Sequence, residues 1–212
     1  MSIDNYDTIG SDMKADVSSV DKTQGAGRPR DPRIDESILR ATAELLVEIG
    51  YSSLTIAAVA DRAGTTKTAL YRRWSSKAEL VHEAAFPAAS SALAQQSGDF
   101  AADVRAMVAR ARDVFTTPVV RAALPGVVAD VAADPELNAR VTERFHGAFD
   151  AVRARLADAV RRGEAHPEID PDRLIEMIGG ATMMRLLMAP DAEFGDEWVD
   201  QTAMILVRGV LA

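Results

Sequence analysis

Apolar residues recur every three or four positions along most of the chain, which is the spacing of an amphipathic α-helix. In the first such segment the apolar positions are Ile38, Leu39, Leu45, Leu46 and Ile49. No segment shows the sustained alternation of apolar and polar residues that is typical of a half-buried strand. The pattern therefore predicts an all-α fold of about nine helices.

Helix-capping residues divide this pattern into separate helices. Three Asp-Pro pairs place an N-cap before a proline at the first helical position, namely Asp31-Pro32, Asp134-Pro135 and Asp170-Pro171. Gly50 and Gly163 are placed to end helices. Beyond the first three helices we predict spans of 77–96 with Pro87 as a kink, 99–115, 118–133 interrupted at Pro125, 135–162, 171–189 and 196–211.

The second and third predicted helices are unusually short. Thr55 caps the second helix, and Gly64 ends it after about two turns. Thr65 or Thr66 caps the third helix, and the capping box Ser-Lys-Ala-Glu at residues 76–79 begins a fourth. Two short helices joined by a tight turn and packed on a longer one form a helix-turn-helix, which places a recognition helix in the major groove of DNA.

The exposed face of the third helix carries side chains that can hydrogen-bond to phosphates and base edges. These are Thr66, Lys67, Thr68, Tyr71, Arg72 and Arg73. Taken singly, such cations more often form a solvated face, so only the group favours DNA contact. Leu70 and Trp74 lie four residues apart and are assigned to the core, whereas Tyr71 suits either environment.

Charge is distributed unevenly along the chain, whose formal net charge is -8. Residues 1–21 carry one Lys and five Asp, residues 22–82 carry ten basic and seven acidic side chains, and residues 83–212 carry thirteen basic and twenty acidic ones. A small basic module therefore lies between an acidic tail and an acidic body. This asymmetry is typical of a DNA-binding head joined to a body that has a different partner.

Composition excludes several other classes of protein. The chain has no cysteine, so it has no disulfide and no cysteine-based zinc site. No stretch approaches the ~20 apolar residues that cross a bilayer, and we expect a cytoplasmic protein with no membrane partner. His82, His146 and His166 have no partner at helical metal-pair spacing, and no catalytic constellation is present. We therefore expect no enzyme activity, no metal and no cofactor.

Residues 28–86 resemble the DNA-binding domain of the TetR family of transcriptional regulators. The most specific segment is AGTTKTALYRRWSSKAEL at residues 63–80, which matches the family's turn, recognition helix and fourth-helix start without a gap. One departure is Thr65, where the family usually has an aliphatic residue. Residues 124–211 are similar to one C-terminal class of the family, through Leu124-Pro125-Gly126, residues 134–137 and residues 161–164 ahead of Asp170-Pro171.

The resemblance implies a role for each matching residue of the head. Thr55 and Lys77 would lie at helix N-termini placed against phosphates. Base-edge contacts would come from Thr66, Lys67, Thr68 and Ala69, and phosphate contacts from Tyr71, Arg72 and Arg73. Arg28 and Arg30 are interpreted either as an arm for an A·T-rich minor groove or as a charged, disordered linker.

The same resemblance implies an effector cavity and a dimer interface in the body. Flexible or aromatic candidates for the cavity are Met107, Phe145, Phe149, Met177 and Met184, although each is also an ordinary core residue. The last two helices would pair with their symmetry mates. Candidates for that interface are Gly179, Gly180, Trp198, Met204, Ile205 and Val207.

We therefore expect a disordered acidic tail at residues 1–27, a DNA-binding domain at 28–82 and a ligand-binding and dimerisation domain at 83–212. The expected function is transcriptional regulation, with a homodimeric repressor that a small apolar effector releases from a palindromic operator. One alternative is a similar DNA-binding dimer with no small-molecule effector. A second is an enzyme in the helical body, against which the missing catalytic constellation argues.

Overall fold

A computed structural model describes residues 32–87, 97–189 and 194–210, and these residues form nine α-helices with no β-strand. The all-α prediction is therefore confirmed. In chain order the helices are α1 Pro32–Ser53, α2 Ile56–Arg62, α3 Lys67–Tyr71, α4 Lys77–Ala85, α5 Phe100–Phe115, α6 Pro118–Ala133, α7 Pro135–Arg162, α8 Pro171–Met188 and α9 Asp196–Val210.

Most predicted capping residues accept hydrogen bonds at helix N-termini. The oxygens of Thr55, Thr66, Asp134 and Asp170 each accept from amides in the first turn that follows. Of the two candidates for the third helix, Thr66 is the cap. Gly163 ends α7 with φ 74° and ψ 18°, a left-handed conformation that glycine adopts without strain. The helix boundaries are thus largely set by local sequence.

Two predictions about proline were wrong. Helix α4 ends at Ala85 and does not continue to residue 96, because Pro87 disfavours the helical conformation of the preceding residue and Phe86 adopts φ -121° and ψ 71°. Residues 88–96 of that predicted span lie outside the described residues. Pro125, in contrast, does not interrupt α6, which runs through it from Pro118 to Ala133.

The buried apolar residues form two clusters. The first joins α1 to α4 with α6, and its members include Leu46, Leu70, Trp74 and Val127. The second joins α5, α7, α8 and α9, and its fully buried members include Val104 and Val199. Because α6 packs on α1 and α4, the helices nearest the predicted recognition element share a core with part of the body.

No single helix among the described residues is long and apolar enough to cross a bilayer. Helices α5 and α6 reach that length and apolarity only as a pair, and the pair is bent by 85°.

Candidate DNA-binding interface and ligand cavity

Helices α2 and α3 form the predicted helix-turn-helix. The turn between them contains Gly64, whose φ of 65° is in the left-handed region. The Thr55 hydroxyl oxygen accepts from Ala58 N at 3.1 Å, and the Thr66 oxygen accepts from Ala69 N at 3.2 Å. These bonds fix where each short helix begins and so fix the direction of α3.

The inner face of α3 is anchored and the outer face is exposed. Leu70 and Trp74 are almost fully buried, which confirms their assignment to the core. The outer side chains are accessible to a partner: Thr66, Lys67, Thr68, Tyr71 and Arg72 are all exposed, and Ala69 is half-buried. Tyr71 is 58% exposed, which settles its environment as the surface. The structure therefore places five of the predicted recognition residues together on one accessible surface.

Arg73 does not join this surface. Its side chain is only 12% exposed and forms an ion pair with Asp35 of α1. It also donates to the carbonyl of Ala69 at 2.9 Å. Since both partners lie inside the module, the prediction that Arg73 contacts phosphate is wrong for this conformation, and its position supports a role in fixing α3 on α1.

Lys77 also has an internal partner. Its ammonium donates to the Tyr51 carbonyl at 3.0 Å and lies 4.1 Å from the centre of the Tyr51 ring. The ammonium is therefore occupied within the protomer, and the phosphate contact at the start of α4 stays a prediction. Thr55 is exposed at the start of α2, as a phosphate contact requires. Arg28 and Arg30 lie outside the described residues.

Five charged and aromatic side chains connect the end of the helix-turn-helix and α4 to α7. Trp74 Nε1 donates to Glu83 Oε2 at 2.6 Å, and the same oxygen accepts from Arg144 at 2.7 Å. Glu79 pairs with Arg140 at 3.8 Å and with Arg144 at 4.0 Å. We call these five residues the α4–α7 network.

Glu79 of the α4–α7 network also completes part of the predicted capping box. The Ser76 oxygen accepts from Glu79 N at 3.1 Å, but the Glu79 carboxylate accepts from Ser75 N at 2.8 Å and not from Ser76. Burial alone would raise the pKa of Glu79. The hydrogen bonds that Ser75 donates, together with the positive charges of Arg140 and Arg144, outweigh burial, so the pKa of Glu79 is lowered. The carboxylate of Glu79 is therefore held in its charged form.

A second connection joins α1 to α6. The Tyr51 hydroxyl donates to the Asp130 carboxylate, and burial followed by this contact raises the pKa of Tyr51. The Tyr51 ring lies directly against the backbone of Gly126, where a Cβ atom would approach three ring atoms more closely than 3.0 Å. Gly126 is thus required for the close approach of the ring.

An apolar cavity of about 390 Å³ opens among the C-terminal end of α4, α5, α7 and α8. Phe86, Phe115, Phe145 and Phe149 line it together with Met107. Neighbouring rings contact one another, with centroid distances of 5.6 to 5.9 Å. The only charged side chains in its described lining are those of Arg110 and Glu176. A cavity with these properties suits a small apolar ligand.

The prediction that five named residues line the cavity was wrong for two of them. Met107, Phe145 and Phe149 line the cavity as expected, but Met177 and Met184 do not. Both of these side chains lie on the outer face of α8 and are more than half exposed, because the side of α8 that faces the cavity carries Ile175, Ile178 and the glycines.

The predicted dimer residues divide into three groups. Met204 and Ile205 are exposed, and Ile205 is 65% exposed. Trp198 and Val207 are half-buried against the second core cluster, so much of their surface already has a partner within the protomer. Gly179 and Gly180 line the cavity, and no packing partner among the described residues lies within 4 Å of an added Cβ, so the two glycines do not bring another described helix of the same protomer close.

Together with α8, the exposed residues define an apolar surface that the sequence had only partly indicated. We call it the α8–α9 surface, and its members are Met177, Met184, Leu187, Met188, Met204 and Ile205. Each member belongs to α8 or α9. Across the described ranges no group of three or more potential ligands is placed to hold a metal ion.

Comparison with known proteins gives two family matches along the chain. Residues 38–84 match the family model of bacterial regulatory proteins of the tetR family, and residues 94–204 match a tetracyclin repressor-like C-terminal domain. The first match contains the helix-turn-helix and the second contains most of the cavity and the α8–α9 surface.

Individual relatives agree with these matches. An uncharacterized HTH-type transcriptional regulator of Mycobacterium tuberculosis is 32% identical over 174 residues, covering 78% of this chain and 84% of the relative. A DNA-binding transcriptional repressor TetR of Mycobacteroides abscessus is 28% identical, covering 81% and 93%. The transcriptional regulator FadR of Bacillus subtilis, solved with stearoyl-CoA, has the same fold with a TM-score of 0.62 at 12% identity, covering 82% and 98%.

Proposed function

The chain belongs to the TetR family of DNA-binding transcriptional regulators, and from this premise we propose that it is a homodimeric repressor that a small apolar effector releases from a near-palindromic operator. The observation that carries the proposal is the exposed polar face of α3 on an anchored helix-turn-helix. The family matches at 38–84 and 94–204 support a DNA-binding domain at 28–82 and a ligand-binding and dimerisation domain at 83–212.

The proposed DNA contacts come from the exposed face of α3 and from helix N-termini. Thr66, Lys67, Thr68 and Ala69 begin α3, so they would be nearest to base edges in the major groove. Tyr71 and Arg72 would contact phosphate, as would Thr55. Since operator DNA is the proposed partner, we place the protein in the cytoplasm.

The proposed dimer forms through the α8–α9 surface. Six large apolar side chains exposed on two adjacent helices would be costly to leave in water, and pairing with a second copy would bury them. A twofold dimer presents the same surface on both copies, and its two recognition helices would read the two halves of a palindrome.

The proposed effector site is the aromatic cavity. The FadR structure from Bacillus subtilis contains stearoyl-CoA, which supports an apolar ligand in a body of this fold. In this chain the α4–α7 network connects helices that line the cavity to Trp74 at the end of the helix-turn-helix. Half-sites on one face of DNA lie about 34 to 36 Å apart, so a shift of a few ångströms at α4 would misplace one head.

A repressor role is supported by the Mycobacteroides abscessus relative, which is named as a DNA-binding transcriptional repressor. The ligand would act only through a difference in affinity between the DNA-bound and released arrangements.

Selection of bound sequences from random duplex DNA tests the proposal. We expect a near-palindromic site, occupied by two protomers and released when the cavity is filled. Enrichment of a single, asymmetric half-site would contradict the dimeric mode of binding. A lack of any enrichment would contradict the DNA-binding assignment itself.

A further inference from the structure

A buried polar side chain lies behind the aromatic wall of the cavity. His82 of α4 is 2% exposed, and neither of its ring nitrogens has a hydrogen-bond partner among the described residues. The imidazole packs against Phe86 with a centroid distance of 5.0 Å and edge-on against Phe145 at 5.4 Å. Since both phenylalanines line the cavity, one layer of rings separates His82 from the open space.

The position does not require a polar residue for packing. The two rings that contact the imidazole, those of Phe86 and Phe145, are apolar. Unpaired polar atoms in a buried position are costly, and native proteins satisfy nearly all of them with protein, water or ligand. An imidazole with two unsatisfied nitrogens beside a cavity therefore points to a hydrogen-bonding group that arrives with a ligand.

The chemistry of the imidazole restricts that group. Burial, followed by the charge of Arg144, lowers the pKa of His82 to about 4, so the ring is neutral at physiological pH. A neutral imidazole offers one N–H donor and one acceptor, which suits a hydroxyl or a carbonyl group. Four phenyl rings in the wall favour a flat aromatic body, because aromatic rings stack on one another or pack edge to face.

We propose that the cavity binds a flat aromatic ligand with an uncharged hydroxyl or carbonyl group, and that His82 forms a hydrogen bond with this group. The inference rests on the proposed effector function and adds the chemical class of the effector. To reach His82 the ligand turns the ring of Phe145 or Phe86. Phe145 directly follows Arg144, so this movement acts on the α4–α7 network that holds Trp74.

Binding of two matched probes tests the proposal. Naphthalene and 2-naphthol differ by a single hydroxyl group, and their dissociation constants can be measured by titration calorimetry with the full chain at pH 7.5. The wild-type protein should bind 2-naphthol about tenfold more tightly, because one hydrogen bond contributes about one factor of ten. His82→Phe should bind both probes equally, and His82→Gln, which keeps a donor and an acceptor, should retain part of the preference.

Two control variants locate the effect. His146→Phe changes an exposed histidine on α7 and should leave the tenfold preference unchanged. Ala148→Phe places a ring in the cavity lining and should weaken both probes to a similar extent.

Each other outcome overturns the inference in a recognisable way. Equal binding of the two probes by the wild-type protein would refute the hydrogen bond but would not refute the cavity as an effector site. If His82→Phe still binds 2-naphthol more tightly than naphthalene, a group other than His82 forms the hydrogen bond with the hydroxyl. If neither probe binds, both the inference and the effector part of the proposed function fail.

Discussion

Replacement of Gly126 by alanine should destabilise the protein, although the same change in an open helix is favourable. A Cβ at this position in α6 would lie closer than 3.0 Å to Cγ, Cδ1 and Cε1 of Tyr51. The ring cannot move away freely, because Lys77 lies over it at 4.1 Å and the hydroxyl donates to Asp130. The substitution therefore forces apart the contact between α1 and α6.

The expected magnitude follows from two opposing effects. Alanine in place of glycine in a helix interior stabilises by about 0.5 to 1 kcal/mol. Overpacking of a filled site costs about 1 to 3 kcal/mol, and here loss of the Lys77 contact would add about 0.5 to 1 kcal/mol. The gain and the lost Lys77 contact are similar in size, so we expect Gly126→Ala to lower the free energy of unfolding by about 1 to 3 kcal/mol.

Urea unfolding followed by circular dichroism at pH 7.5 measures this change. Gly147→Ala in α7 is the matched control, because no packing partner among the described residues lies within 4 Å of its added Cβ, and it should stabilise by about 0.5 to 1 kcal/mol. Gly126→Ala should also become stabilising in a Tyr51→Ala background, where the ring is absent. If Gly126→Ala were as stabilising as Gly147→Ala in the presence of Tyr51, the steric reasoning would be refuted.

Three further predictions concern charge, DNA contact and association. Because burial lowers the pKa of His82 from 6.5 to about 4, the folded state loses stability as the pH falls through this range. Relative to His82→Phe, urea unfolding should show a loss of about 2 kcal/mol between pH 7.5 and pH 5, and a pH-independent difference would contradict it. Arg72→Ala should reduce the salt dependence of DNA affinity, with a slope of log affinity against log salt concentration that is smaller by about 1. Arg62→Ala, whose partner is Glu48, should change this slope little. A wild-type slope in Arg72→Ala would exclude a phosphate contact by Arg72. Ile205→Asp should shift the protein from dimer to monomer in sedimentation velocity, and an unchanged dimer would place the interface elsewhere.

The helices could be predicted from sequence because their ends are set locally. Thr55, Thr66, Asp134 and Asp170 each accept from amides within a few residues, so their spacing is sufficient to place a helix start. The exposed face of α3 also followed from local periodicity, since Leu70 and Trp74 fix which side is buried.

The errors concern contacts between residues that are distant in the chain. Arg73 has the same sequence signature as Arg72, and only its pairing with Asp35, 38 residues away, removes it from the exposed face. Met184 is as apolar as Met107, but the packing of α8 on α5 turns one outward and the other inward. Sequence periodicity identifies such residues as helical without indicating which neighbour they face.

The buried state of His82 was likewise not evident from sequence. From the sequence, His82 is like the other two histidines in having no metal partner at helical spacing. Its importance comes from Phe145 on α7, whose ring lies edge-on to it, and from the cavity on the other side of that ring. The one available signal was its place within the apolar positions of α4 beside Val81 and Ala85.

The central claim is that the exposed face of α3 recognises a specific DNA sequence as part of a dimer. Fluorescence anisotropy with the selected duplex and with a scrambled duplex of equal length, at one fixed salt concentration, tests this most directly. The account predicts that two protomers bind each selected duplex, with an affinity at least about a thousandfold higher than for the scrambled duplex. The double variant Lys67→Ala, Thr68→Ala should lose most of this difference in affinity between the two duplexes. Equal affinity for both duplexes, or a ratio unaffected by the α3 substitutions, would contradict it.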